Sequence, residues 1–186
     1  MAGNRTNSRY QSTKIAFCGL VTALGVVLMI SGGLIPIMTY CSPMAAGVLL
    51  LFVMLEFGKQ AAWTTFFATA LISILLGTDK EAAFFYLFIG YYPLVKWELD
   101  RLKPRFLSLL AKLSLFSASV ILLYLTLGFV LNMEAILSEF ADMGVMLSAV
   151  FLLLFNFCMI LYDRLMIPLI FLYVNRLQPK LQFLKR

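Results

Sequence analysis

Apolar blocks of about 15 to 30 residues recur along nearly the whole chain, with only short polar breaks between them. The run KIAFCGLVTALGVVLMIS, residues 14–31, holds one charge, at its first position. A bilayer can solvate such a segment if every backbone polar group is satisfied inside its own helix. Hydrophobic residues make up 62% of the 186 residues and charged residues 13%. That leaves too little polar surface to coat a water-soluble core. No polar stretch is long enough for a separate soluble domain. The sequence therefore predicts an all-α fold, a polytopic membrane protein whose residues 1–186 form a single integral membrane domain.

The pattern predicts one bundle of about six transmembrane helices, near residues 14–31, 43–57, 61–77, 81–97, 106–131 and 144–175. Residues 1–13 read as an N-terminal tail and 176–186 as a basic C-terminal tail. The first run lacks a clear small-residue cleavage site and is followed by further spans, which predicts a retained helix. A charge-free connector, GGLIPIMTYCSP, follows it and reads as poorly helical. The segment 132–143, NMEAILSEFADM, reads as a short amphipathic helix outside the bundle.

Charge placement sets an orientation. With the N-terminus in the cytoplasm and six alternating spans, fourteen of the fifteen lysines and arginines face the cytoplasm, and only Lys80 faces out. That is a strong positive-inside bias, and it predicts both termini in the cytoplasm. The outer loops are acidic instead, with Asp79, Glu81, Glu134, Glu139 and Asp142.

The stretch GYYPLVKWELDR, residues 90–101, ends the fourth span. Tyr91, Tyr92 and Trp97 read as interface aromatics, and Lys96 and Arg101 as cytoplasmic anchors. Gly90 and Pro93 predict a kink just before the exit. Asp163 and Arg164 form the most notable charged pair within an apolar run. From a start near 144, residue 163 lies roughly 28 Å along the helix, at the inner edge of the hydrocarbon. The pair is expected to close a cytoplasmic ion-pair layer with Lys96, Glu98 or Asp100. Pro168 is expected to bend the chain, so that residues 169–186 leave along the inner surface.

Enzymatic chemistry finds no residues to carry it. The chain has no histidine, the commonest general base and metal ligand. Cys18, Cys41 and Cys158 form no C-x-x-C pair. There is no G-x-x-x-x-G-K-[ST] phosphate loop. The expectation is a protein that is not an enzyme, with no catalytic residue, metal or cofactor. The net charge of +6 is explained by membrane flanks and needs no nucleic acid partner.

Gly19 and Ala23, one turn apart on the first span, let another helix approach closely. With the basic N-terminus, the Gly/Pro connector and the six spans, they complete a resemblance. The chain resembles the substrate-binding S component of energy-coupling factor (ECF) transporters. That family carries an Ala-x-x-x-Ala pattern in its first span, and here the pattern is Gly19-x-x-x-Ala23. The resemblance implies a bacterial plasma-membrane protein that binds a vitamin or similar micronutrient from outside. It implies a coupling transmembrane subunit, touched through Gly19 and Ala23, and two ATPase subunits as partners. A ligand site of this kind needs polar groups converging on an outer cavity. The candidates are Thr39, Tyr40, Ser42, Asp79, Tyr86, Tyr124, Thr126 and Asn132. Acidic outer loops disfavour a strongly anionic ligand.

The alternative is a non-transporting scaffold or assembly subunit of an envelope complex, with that space filled by side chains. The small residues of the first span would then serve packing within the bundle or a contact to another protein. A pore would need a polar stripe through several spans, and the sequence shows none.

Overall fold

The computed structural model describes residues 2–32, 38–77, 79–126, 128 and 134–178, with side chains from Ser8 onward except at 134–145 and 177. Its regular elements are helices: α1 (Ala2–Gly32), α2 (Met38–Phe57), α3 (Lys59–Leu76), α4 (Lys80–Ile89), α5 (Tyr92–Asp100), α6 (Arg105–Leu125) and α7 (Glu134–Leu172), closed by a π-helical turn at Tyr173–Leu177. Five helical segments are long and apolar enough to cross a membrane: Ser8–Gly32, Met38–Phe57, Lys59–Leu76, Arg105–Leu125 and Met146–Arg176. The pair α4–α5, residues 80–100, supplies the length of one further crossing in two pieces.

The break between those pieces falls where the sequence places its kink. A Cβ on Gly90 would stand 2.5 Å from Tyr86 Cδ2 and 2.6 Å from the Tyr86 carbonyl oxygen, so only glycine lets the chain pass. Pro93 then sits in the first turn of α5, where a missing N–H costs no helical bond. Gly58 alone separates α2 from α3, at φ 85°, a left-handed conformation that glycine adopts without penalty.

Four boundaries differ from the sequence reading. The N-terminal tail is helical from Ala2 and continuous with the first span. The second span begins at Met38, so Thr39, Tyr40 and Ser42 are helical and not connector residues. Pro43 lies one turn inside α2, where a membrane helix tolerates a single lost backbone bond. Backbone from Glu134 is continuous with α7 and forms no separate short helix. Pro168 does not end α7, and Tyr173 stays on the bundle, its ring stacked on Phe52 at 4.5 Å and its hydroxyl donating to Glu56 at 3.0 Å. Residues 179–186 lie outside the described residues.

Packing falls into two halves that share α4–α5. In one half, Met29, Leu50, Val53, Phe66, Tyr86 and Leu94 fill the space among α1, α2, α3 and the central pair. Ala46, Ala61, Ala62, Ala70 and Ala82 at that contact let the helices approach closely. In the other half, Phe85, Ile89, Tyr92, Phe116, Leu123, Met159, Tyr162 and Met166 join α4–α5 to α6 and α7. Outside this core, α7 turns a broad apolar surface outward, including Met146, Leu153, Phe157, Leu161 and Leu165. Lipid tails satisfy such a surface, and water would not.

Candidate functional site

One end of the bundle holds a buried ionic cluster. On α7, Met159, Tyr162, Asp163 and Met166 follow helical spacing and share the inward face. Asp163 is 9% exposed. One carboxylate oxygen accepts from Lys96 Nζ and from the Tyr92 hydroxyl, both on α5. The other accepts from Lys112 Nζ on α6 at 3.0 Å. Asp100, one turn beyond Lys96, closes the cluster: Lys96 Nζ lies 3.3 Å from it, and Lys112 also donates to it. Two cations thus face two carboxylates, and three helices are tied at one level. Both Asp163 oxygens are engaged, which suits a fixed ion-pair layer better than a proton carrier.

Of the residues expected in this layer, the structure brings together Lys96, Asp100 and Asp163. Glu98 lies elsewhere and pairs with Lys59 at the solvated edge. Arg164 is exposed and enters none of the ion pairs among the described residues, because one step along a helix rotates the side chain by about 100°. Lys112, which the sequence reading held only as one of the fourteen cytoplasmic cations, is a full member. Its signal was its place in an apolar run on the face that also carries Ser108 and Phe116. Tyr92, expected at the interface, is fully buried because its hydroxyl serves Asp163. Tyr91 is half-buried, near-parallel to Trp63, while Trp97 is exposed.

The opposite end contains a cavity of about 360 Å³ among α2, α4, α6 and α7. Tyr40, Met44, Phe85, Tyr124, Phe155 and Cys158 are among the residues that line it, and no charged side chain does among the described residues. Tyr40 stands at its mouth, its ring edge-on to Phe85 at 5.4 Å and its hydroxyl donating to Glu81 at 2.7 Å.

Of the eight expected ligand residues, Tyr40 and Tyr124 meet in this cavity. Of the others, the five that are described do not line it. Ser42 is buried against Gly32. Asp79 caps α4 by accepting from the Ala82 N–H at 3.1 Å. Tyr86 is fully buried in the other half of the core, against Phe66. Thr126 donates to the Leu122 carbonyl of its own helix. Thr39 is half-buried and is not among the lining residues. Asn132 lies outside the described residues. Cys41 and Cys158, which the sequence reading set aside, both line the cavity.

The small face of α1 is open. Gly19 and Ala23 are exposed and line a groove of about 720 Å³ between α1 and α3, with Cys18, Thr22, Thr64 and Ala68. A Cβ on Gly19 would meet nothing within 4 Å, whereas one on Gly25 would stand 2.9 Å from Thr69 Cγ2. The interior contact of α1 therefore uses Gly25, and the Gly19/Ala23 side has no packed partner among the described residues. No cluster of three potential metal ligands occurs among the described residues.

Fold and surface together define a multi-pass α-helical membrane protein. No family model, no curated protein and no solved structure matches the chain.

Proposed function

We propose that this chain is the membrane-embedded, small-molecule-binding subunit of an ECF-type uptake transporter in the bacterial plasma membrane. The observation that carries the proposal is the separation of two open features. A cavity lies at the end assigned to the outside, and an unpartnered small-residue groove lies on α1 and α3. Capture of a ligand and contact with a coupling subunit need different surfaces, and this arrangement provides them. The ionic cluster at the other end holds α5, α6 and α7 together and stays out of the ligand's path. The chain binds its ligand without transforming it, and the energy for transport comes from ATPase subunits in the complex.

The test is to isolate the protein under mild conditions from cells that express it. A retained small molecule should appear by mass spectrometry, together with a membrane subunit and ATPase subunits that carry phosphate-binding loops. A protein that retains nothing small and assembles without ATPases sinks the proposal. One observation favours the scaffold reading instead: Tyr86, an expected ligand group, is packed wholly into the core.

A further inference from the structure

The cavity among α2, α4, α6 and α7 is apolar inside and negative at its rim. We infer that it takes an organic cation, an ammonium or similar positive group carried on a flat apolar body. This rests on the ligand-capture reading above and specifies its substrate class.

Three observations carry it. First, the rim holds a carboxylate that no cation neutralises among the described residues. Tyr40 lines the cavity, and its hydroxyl donates to Glu81 at 2.7 Å. With that proton committed, the Tyr40 oxygen receives the hydroxyl of Tyr124, a second lining residue. The two phenols thus connect the cavity to the carboxylate. Glu81 is not the cap of α4, because Asp79 has that role. Its neighbour Lys80 donates instead to the Ile74 carbonyl at 2.6 Å. Residues one step apart on a helix do not face each other. Second, the walls bring no competing cation. Residues 15–58 and 113–163 contain no lysine or arginine. They supply α2 and the lining stretches of α6 and α7. A positive guest therefore meets attraction at the rim and no like charge on these walls, and an anion meets repulsion. Third, the walls are aromatic. Phe85 meets Tyr40 edge-on at 5.4 Å and Phe155 edge-on at 6.0 Å. Ring faces attract a cation, and more strongly where water is excluded. The volume of about 360 Å³ lies toward the small end of ligand pockets. A neutral apolar guest gains the walls but not the carboxylate.

The native cysteines provide the readout. Cys41 and Cys158 are exposed and line the cavity, while Cys18 lines the separate groove on α1. The full-length protein in dodecylmaltoside, whose head group is uncharged, is labelled with N-ethylmaleimide, and each site is followed by peptide mass spectrometry. Benzyltrimethylammonium should slow labelling at Cys41 and Cys158 and leave Cys18 unchanged. Neopentylbenzene has the same shape with carbon in place of the charged nitrogen, and should need about tenfold more for the same protection. Phenylacetate should not protect. Glu81→Gln keeps an acceptor for Tyr40 and removes the charge. It should weaken protection by the cation about tenfold and leave neopentylbenzene as it was.

Equal protection by the cation and its neutral counterpart in the unaltered protein overturns the inference, and so does protection by phenylacetate. That comparison holds whether or not the variant folds. Undiminished protection by the cation in a folded Glu81→Gln protein overturns it too. In nanodiscs of phosphatidylethanolamine, whose head group carries an ammonium, full shielding of both cysteines that the soluble cation cannot extend marks a lipid slot and also overturns it. If the cation fails but a neutral or anionic molecule retained from cells protects the cysteines, the substrate class falls and the transport reading stands. If it fails and nothing small is retained, both fall.

Discussion

Asp163 shows how far one residue can carry a sequence argument. Its depth in an apolar run marks it as a group that needs a partner, and the 96–101 segment offers them within one helical turn. The geometry of the partners was not legible. Lys112 reaches Asp163 across 51 positions of chain, and nothing local marks it as a donor to this carboxylate. Removing Asp163 leaves Lys96, 4% exposed, and Lys112, 8% exposed, with only the half-solvated Asp100 as counter-ion. A buried cation without its partner costs about 3–5 kcal/mol, so Asp163→Ala should destabilise by an amount near that range. Glu98→Ala breaks the Lys59 pair, whose side chains are 45% and 58% exposed. With solvent screening its effect should stay within about 0–1 kcal/mol. Thermal unfolding in detergent compares the two, and similar shifts for both variants would show that the Asp163 cluster is solvated after all. A charge swap between Asp163 and Lys96 should recover part of the loss.

At the scale of elements, apolar length fixed the number of crossings, and punctuation residues fixed some boundaries but misled at others. Gly90 and Pro93 announce the break between α4 and α5 because each restricts the backbone in a known way. Pro43 and Pro168 carry the same local signal, yet both sit inside helices. There, tertiary packing outweighs one lost backbone bond: Met44 and Tyr162 lock α2 to α7 through a 2.9 Å hydrogen bond, and Tyr173 holds the end of α7 to α2. The difference is testable at Gly90. Its hypothetical Cβ collides with the ring and carbonyl of Tyr86, which is fully buried and has no room to retreat. Gly90→Ala should therefore destabilise by about 1–3 kcal/mol, the range for overpacking a closed core. A neutral result in the same unfolding assay would mean that α4 and α5 can shift apart without cost.

For the whole molecule, the charge count predicts both termini in the cytoplasm, and the two ends of the bundle differ in kind. The ionic cluster joins the far ends of α5 and α7 to the start of α6, while Tyr40, Glu81 and Tyr124 gather at the other end. In a background free of native cysteines, an impermeant thiol reagent applied to intact cells should label Ile136→Cys and spare Phe183→Cys. The reverse pattern would invert every inside and outside statement. The two open surfaces then give a separable phenotype. Gly19 and Ala23 lie one turn apart on the exposed side of α1, where a Cβ on Gly19 meets no described atom within 4 Å. The bundle should accept Gly19→Leu and Ala23→Leu with unchanged unfolding temperature, since neither position is buried in the core. A partner helix seated in the groove would be pushed away, because close approach there depends on small side chains. These variants should lose the coupling subunit and uptake while keeping ligand binding within about twofold, a change smaller than one typical hydrogen bond. Gly25→Leu serves as the contrast: its Cβ already crowds Thr69, so it should lower the unfolding temperature of the isolated protein. If Gly19→Leu and Ala23→Leu leave assembly and uptake intact, the groove is a lipid-facing surface. The scaffold reading then has as much support as the transporter.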